Sequence, residues 1–345
     1  MDRRTVQSQF NDCQINVHVT LEHWNGSEVG YGSAVAVDPV AGAADRPFCA
    51  EASAARGEPL AATASRIDHW ILVEYRRLWN RDLLAGSGLS DEVKAHLRAQ
   101  LDALPRSRLL FVRRPDRRAH DGIAVFFGRS GERGGRFHGV ELEDYEDLRT
   151  LDLAGTLAGD QSVASLHERP LLVVCTHGKR DRCCARYGRP LYDALRARED
   201  VRDCVWQSTH VGGDRFAGNL VCLPEGVYYG RVGAGDVSGL VEEYRAGRIA
   251  LERYRGRAAY GFAVQAAEIR VREETGLREL HDLALARVAP AGDHAWEVRF
   301  RERATGATHD VEVALEHDPE PALLTCSAVA PARPRRYVAR AARAA

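Results

Sequence analysis

The fold of this chain is indicated best by residues 171–184, which read LLVVCTHGKRDRCC. Four apolar residues predict a short buried strand that delivers Cys175 at its end. A polar loop follows, and Cys183 and Cys184 then open an amphipathic helix. A second apolar strand ends shortly before His210. Strand–loop–helix units of this kind predict an α/β fold with sulfur and imidazole groups at strand ends.

The order of the other predicted elements extends this prediction. After the quoted strand and a helix to about Arg198 we expect a strand at Cys204–Trp206, a hairpin of Leu220–Leu223 with Val227–Arg231, and helices at Val237–Arg245 and Ala258–Glu274. This order is typical of a thioredoxin-like layered α/β sandwich. A similar order comes earlier, with a strand at Ile71–Tyr75, a helix at Asp91–Ala103 capped by Ser90, and strands at Leu109–Val112 and Ile123–Phe127. The first half is therefore interpreted as a degenerate copy of the second, so that two related α/β modules are expected.

Length and composition suggest four segments. At 345 residues the chain is longer than one ordinary hydrophobic core supports. We predict an N-terminal extension over 1–45 with weak strand signals at 15–21 and 34–37, an N-terminal α/β module over 46–160, a thioredoxin-like domain over 165–250, and a small α+β region over 251–345. The last segment is expected to hold a helix, a strand hairpin of Trp296–Arg301 with His309–Leu315, and a mobile arginine- and alanine-rich tail.

Charge and hydropathy exclude some classes of function. The formal net charge is −1, which gives no indication of nucleic-acid binding. No run approaches 18 apolar residues and no secretory signal is visible, so we expect a cytoplasmic protein without a membrane partner. Eight cysteines are too few for a disulfide scaffold of this length and should be free or bound to a metal. They are Cys13, Cys49, Cys175, Cys183, Cys184, Cys204, Cys222 and Cys326. Cys204, Cys222 and Cys326 lie in or near apolar runs and are predicted to be buried, inert thiols.

The cysteines around the polar loop are different because they cluster. The amide groups of the helix N-terminus favour a thiolate at Cys183 and Cys184. His210 and Asp214 are four residues apart, so that one turn brings them to the same side. A thioredoxin-type redox site fits poorly because the Cys-x-x-Cys spacing is missing. The residues leave open a zinc site completed by Asp214 or water, a two-iron cluster, a structural thiol cluster and a thiol enzyme.

Several blocks of sequence carry a resemblance to a known family. They are the Cys175–Cys184 run, STHVGGDRFAGN at 208–219, GVYYGR at 226–231, FCAEAS at 48–53, GEPLA at 57–61 and HW at 69–70. Together they resemble the sucrase/ferredoxin-like family, also called thioredoxin-like ferredoxins, over about residues 46–235. The resemblance implies that residues 165–250 form a thioredoxin-like ferredoxin domain.

The family implies a [2Fe–2S] cluster bound by two cysteines nine residues apart and by a His-x-x-x-His motif. These positions correspond to Cys175, Cys184 and His210, whereas Asp214 stands where the family has its second histidine. Asp214 is thus the expected fourth ligand, with Cys183 or Cys222 as alternatives. A carboxylate is a harder ligand than imidazole and adds negative charge, so we expect a more labile cluster of lower potential.

The resulting prediction is an electron-transfer protein that works with an unidentified redox partner protein, and a carrier rather than an enzyme with its own substrate. The alternatives are a thiol-dependent enzyme that uses Cys184, and an interaction protein with a structural zinc ion or no metal. His177 is expected to shape its loop by hydrogen bonding. Ser208 and Thr209 are candidate donors to cluster sulfurs, and the acidic residues 141–147 are read as a solvated helix face.

Overall fold

The structure is a computed structural model that describes residues 46–114, 121–159 and 164–344. The predicted N-terminal extension, with Cys13 and both weak strand signals, lies outside the described residues. All the residues described below belong to one compact unit, Ala44–Ala345.

The described residues form six α-helices and fifteen strands, with short 3₁₀ turns between them. The helices are α1 Cys49–Ala55, α2 Asp91–Ala103, α3 Leu153–Ala158, α4 Arg182–Ala197, α5 Val237–Arg245 and α6 Phe262–Thr275. The strands of the first half are β1 His69–Glu74, β2 Ser107–Arg113, β3 Ile123–Gly131, β4 Gly134–Leu142 and β5 Ser165–His167. Those of the second half are β6 Leu171–Cys175, β7 Val205–Ser208, β8 Leu220–Leu223, β9 Val227–Tyr229 and β10 Tyr254–Arg257. The C-terminal strands are β11 Leu283–Pro290, β12 Ala295–Glu302, β13 Thr308–His317, β14 Arg335–Ala339 and β15 Arg343–Ala344.

Ten strands form one mixed sheet in the order β10-β9-β8-β6-β7-β2-β1-β3-β4-β5. In the second half, β6 is parallel to β7 and antiparallel to β8, which pairs antiparallel with β9. In the first half, β1 is parallel to β2 and antiparallel to β3, which pairs antiparallel with β4. The two halves therefore share one strand order and one set of directions. The predicted thioredoxin-like α/β fold is confirmed, and the same strand order occurs twice.

The two halves meet in a short antiparallel seam between β2 and β7. Its register pairs are Val112 with Ser208 and Arg113 with Gln207. A further backbone hydrogen bond runs from Thr209 to the carbonyl of Phe111. The seam thus ends next to the strand end from which His210 projects.

Strand β6 is buried on both faces, which explains its unbroken apolar sequence. Leu172 and Val174 face the core cluster that contains Leu191 and Leu195 of α4. Val173 faces the opposite cluster together with Cys175. Each fully buried aliphatic side chain of this kind stabilises the fold by about 1.5–3 kcal/mol. Packing on both sides therefore fixes the position of the strand end at Cys175.

Helix α4 begins at Arg182, one residue before the predicted start at Cys183, and lies unusually close to β6. Asp181 caps it, and its carboxylate accepts a hydrogen bond of 2.8 Å from the Cys183 amide. A Cβ atom at Gly188 would lie 1.9 Å from the carbonyl oxygen of Cys175. Only glycine fits at this contact, and the close approach brings the first turn of α4 beside the end of β6.

Two predictions about secondary structure are wrong. Helix α6 begins at Phe262 rather than Ala258, because residues 254–257 form the additional strand β10. The acidic residues 141–147 are not a solvated helix face. Glu141 and Leu142 end β4, and Asp144 and Asp147 make a capping box for a 3₁₀ helix over residues 145–150. Short capping carboxylates and a helical solvent face have the same composition, which explains the error.

The C-terminal region forms a second sheet in the order β11-β12-β13-β14, with β15 also paired to β13. Helix α6 packs Ala267 and Val271 against Phe300 and Val311 of this sheet. The segment predicted as a mobile tail contains β14, whose Tyr337 ring lies 5.7 Å from that of Trp296. Among the described residues, no helix is long and apolar enough to cross a membrane.

Candidate metal centre

Parallel pairing brings two of the predicted ligands to the same edge of the sheet. Cys175 of β6 pairs in register with Ser208 of β7, so the residues just after β7 lie beside the end of β6. Thr209 is held by the seam, since its hydroxyl accepts a 3.0 Å hydrogen bond from the Phe111 amide. The Ser208 hydroxyl donates to the carbonyl of Thr209 at 3.0 Å. Both hydroxyls are thus hydrogen-bonded to main-chain groups. His210 is the first residue after β7 whose side chain lies in the group of candidate ligands.

Three predicted ligands converge although they come from three different elements. The ligand atoms of Cys175, Cys184 and His210 all lie within 4.8 Å of one another. The Cys184 sulfur is 3.8 Å from His210 Nδ1 and donates to Asp214 Oδ1 at 3.3 Å. Asp214 Oδ1 is also 3.0 Å from His210 Nδ1. The structure therefore brings three of the predicted ligands together, and Asp214 contacts two of them but lies outside the group whose ligand atoms are all within 4.8 Å of one another.

The electrostatics of these groups follow from their burial and mutual hydrogen bonds. A hydrogen bond from Cys184 lowers the pKa of the Cys175 thiol against the opposing effect of burial, and the same bond raises the pKa of Cys184. Burial disfavours the charged form of His210, but the bonds to Asp214 and Cys175 raise its pKa to about 9. Burial likewise opposes ionisation of Asp214, yet its bond from His210 lowers the pKa of the carboxyl. The expected thiolate therefore lies at Cys175 rather than at Cys184.

A tight turn and a buried guanidinium support the His210–Asp214 segment. Gly213 has φ +81°, and a Cβ there would lie 2.4 Å from the Arg255 guanidinium. Arg255 is buried and donates to the Gly212 carbonyl at 3.0 Å and to Asn219 Oδ1 at 2.7 Å. Burial lowers its pKa to about 10. A buried cation behind this turn favours an anionic group in the centre.

Three other predictions about this site are wrong or differ in detail. The alternative ligand Cys183 points elsewhere, since its sulfur lies 3.5 Å from that of Cys49. The alternative Cys222 is fully buried on β8 in the core cluster of Leu191. The loop at His177 is shaped by its main-chain carbonyl, which accepts from the amides of residues 180 and 181. Its imidazole packs edge-on against Trp79, and burial lowers its pKa.

Sequence reasoning missed one group of residues. Cys326, predicted to be inert, is partly exposed, and its sulfur lies 3.4 Å from that of Cys183. Cys49 completes the group from the start of α1. The three cysteines are 134 and 143 residues apart in sequence, so spacing gives no signal. The one signal in the sequence was the doublet Cys183–Cys184, because two adjacent cysteines cannot easily bind the same small cluster.

A comparison with protein families matches residues 60–256 to the sucrase/ferredoxin-like model. The chain belongs to this family. The match covers both halves of the large sheet, from β1 to β10, and thus includes all four residues of the candidate centre. The resemblance inferred from the sequence blocks is confirmed.

Two curated relatives carry the name Altered inheritance of mitochondria protein 32. The protein from Meyerozyma guilliermondii is 40% identical over 95 residues, which are 25% of this chain and 34% of the relative. The protein from Debaryomyces hansenii is 33% identical over 97 residues, 26% of this chain and 36% of the relative. The chain thus spans about a third of the length of these relatives. A solved thioredoxin-like [2Fe–2S] ferredoxin from Aquifex aeolicus is 20% identical, with a TM-score of 0.23, over 26% of this chain and 94% of that one.

Proposed function

We propose that this family member is a one-electron carrier that binds a [2Fe–2S] cluster through Cys175, Cys184 and His210, with Asp214 as the fourth ligand. The observation that carries the proposal is the convergence of two buried thiols and an imidazole within 4.8 Å from β6, α4 and the loop after β7. A bound cluster of this kind supplies a group that takes up and releases one electron.

The donor set fits such a group chemically. Two thiols are the ligands that iron–sulfur clusters prefer, and imidazole replaces thiolate on one iron in other two-iron centres. Cluster binding would replace the hydrogen bonds that Asp214 now makes with Cys184 and His210. The Arg255 guanidinium behind the Gly212 turn offsets part of the negative charge of thiolates and sulfides.

His210 is the proposed entry point for electrons. Its side chain is 20% exposed, whereas Asp214 is 5% exposed and the two cysteines are fully buried. A redox partner protein therefore approaches the centre most closely over the His210 ring. We propose that the protein acts as a carrier, and we place its action in the cytoplasm, a compartment in which cysteines stay reduced and available to a metal.

Metal and sulfide analysis of anaerobically purified protein tests the proposal. We expect brown protein with two irons and two sulfides per chain and an EPR signal after reduction. Cys184→Ala and His210→Ala should each abolish or shift the visible spectrum. Cys204→Ala removes a thiol outside both cysteine clusters and should leave the spectrum unchanged. Colourless protein without iron after anaerobic purification would refute the carrier function.

A separate pair of variants tests the role of Asp214. Asp214→His restores two imidazoles and should keep the cluster with a higher potential, because imidazole adds no negative charge. Asp214→Ala should make the cluster more labile, measured as the rate of bleaching in air. An unchanged spectrum, potential and bleaching rate in Asp214→Ala would show that Asp214 is not a ligand.

The spacing of the same atoms favours one second candidate, a single zinc ion. The contacts of Cys184, His210 and Asp214 span 3.0–3.8 Å, against about 3.4–3.6 Å between the sulfur, nitrogen and oxygen ligands of a tetrahedral zinc site. Colourless protein with one zinc per chain that depends on Cys175 would establish it. A thiol enzyme that uses Cys184 is disfavoured, because this thiol is fully buried and its pKa is raised by the bond to Cys175.

A further inference from the structure

The second group of cysteines lies apart from the first and has its own ligand geometry. Cys49, Cys183 and Cys326 meet with the carboxylate of Asp181, and all four ligand atoms lie within 4.8 Å of one another. The three sulfur–sulfur distances are 3.5, 3.4 and 3.7 Å. Both Asp181 oxygens lie 3.8 Å from the Cys49 sulfur.

These distances correspond to a tetrahedron around one metal ion. For a zinc–sulfur bond of about 2.3 Å, tetrahedral geometry separates two sulfurs by about 3.8 Å. With a zinc–oxygen bond of about 2.1 Å, sulfur and oxygen are about 3.6 Å apart. The observed contacts of Cys49 with the other ligands agree with both values to within a few tenths of an ångström.

We propose that Cys49, Asp181, Cys183 and Cys326 form a structural zinc site of the Cys₃Asp type. Three thiolates and a carboxylate are ligands that a borderline-soft cation of tetrahedral preference accepts. Binding replaces the three thiol protons, which leave to solvent, and involves no electron transfer. The proposal does not depend on the function of the first centre.

Main-chain amides hold two of the proposed ligands, Cys183 and Asp181, in position for a metal ion. The Ala50 amide donates to the Cys183 sulfur at 3.4 Å, a bond that stabilises a thiolate. Asp181 is held in place by the amides of Cys183 and Cys326, at 2.8 and 2.7 Å. Its carboxylate keeps further lone pairs for a metal, because each oxygen accepts only one of these amides. Cys326 is the partly exposed ligand and gives the ion a route from solvent.

The site joins three distant parts of the chain. Cys49 begins α1, Cys183 lies in the first turn of α4, and Cys326 lies in the loop between β13 and β14. The apolar cluster at this junction contains only four buried residues, of which two are the ligands Cys49 and Cys183. Such a small cluster stabilises the junction weakly, so a metal ion would strengthen the attachment. The site also explains the doublet Cys183–Cys184, because Cys183 lies in this site and Cys184 lies in the first centre.

The test uses the full chain, stripped of metal under reducing conditions and titrated with Zn²⁺. We expect one zinc per chain that is lost in Cys326→Ser and in Cys49→Ser. The matched control Cys204→Ser should keep it, and Cys175→Ser, which removes a ligand of the first centre, should keep it as well. Cys326→Ser is the decisive variant because the residue is partly exposed in a loop and its replacement leaves the core intact.

Spectroscopy identifies the ligands. X-ray absorption at the zinc edge should show three sulfurs at about 2.3 Å and one oxygen at about 2.0–2.2 Å. Asp181→Asn keeps the helix cap but removes the charge, and it should weaken zinc binding at least about tenfold. Unchanged zinc affinity in Cys326→Ser, iron in place of zinc at these residues, or a Cys49–Cys183 disulfide in anaerobic protein would each overturn the proposal.

Discussion

Replacing Gly188 by alanine has two opposing effects on the free energy of unfolding, a gain in helix propensity and a loss through overpacking. In an exposed helix, glycine to alanine stabilises by about 0.8–1 kcal/mol. Here the new Cβ would lie 1.9 Å from the Cys175 carbonyl oxygen, against 3.4 Å for ordinary contact, so the atoms must separate by about 1.5 Å. Overpacking usually costs about 1–3 kcal/mol, and an overlap this deep with backbone lies at the upper end of that range, so we expect net destabilisation of about 2 kcal/mol. The shift of α4 also moves Cys184 away from Cys175.

Urea unfolding of metal-free protein measures the effect without a contribution from bound metal. Gly239→Ala is the matched control, because Gly239 lies in α5 and a Cβ there meets nothing within 4 Å. We expect the midpoint to fall for Gly188→Ala and to rise for Gly239→Ala at an unchanged slope. Iron content after reconstitution should fall only for Gly188→Ala. Equal or greater stability of Gly188→Ala would refute the claim that close packing of α4 positions the centre.

Three further changes test other parts of the molecule. Ser90→Ala removes the cap of α2, whose hydroxyl accepts from the Val93 amide, and should cost about 1 kcal/mol in urea unfolding. Arg255→Met leaves the buried Oδ1 of Asn219 without this donor and should cost at least about 2 kcal/mol in urea unfolding. It should also speed the loss of the cluster, and a cluster retained as long as in the unchanged protein would contradict the argument that the guanidinium offsets its charge. Asp310→Asn breaks a bidentate pair that lowers the pKa of Asp310, so it should cost about 0.5 kcal/mol at pH 7, a difference that shrinks as the pH falls below about 4.

The sequence predicted most where a local pattern has a local cause. Helix α2 begins and ends as predicted, because Ser90 caps it and its apolar residues recur at helical spacing. Strand β6 was found because burial on both faces leaves an unbroken apolar run. The residues assigned to the first centre could be picked from the sequence because the family pattern gives their spacing, and their role as ligands stays a prediction. Cys175 lies near His210 because β6 and β7 are parallel neighbours.

Predictions failed where the structure depends on distant partners. Strand β10 contains Arg255 and Arg257, whose buried guanidinium groups find acceptors in other segments. A strand with two arginines has no apolar pattern to reveal it. Cys326 lies in or near an apolar run, which predicts an inert thiol, and its neighbours Cys49 and Cys183 are remote in sequence. Sequence spacing predicts contacts within one element or between adjacent elements. It gives no information on a contact among three elements that are distant in sequence, such as α1, α4 and the loop between β13 and β14.

The antiparallel seam between β2 and β7 also limits how the chain can be divided. In each half taken alone, one of these strands would be an outermost strand with unpaired amide and carbonyl groups. Open edges of this kind pair readily with other chains. A fragment that contains only residues 165–250 would therefore expose β7 and tend to associate through it, although it carries every residue of the first centre. The half from β1 to β5 thus covers the strand edge of the half that contains Cys175, Cys184 and His210.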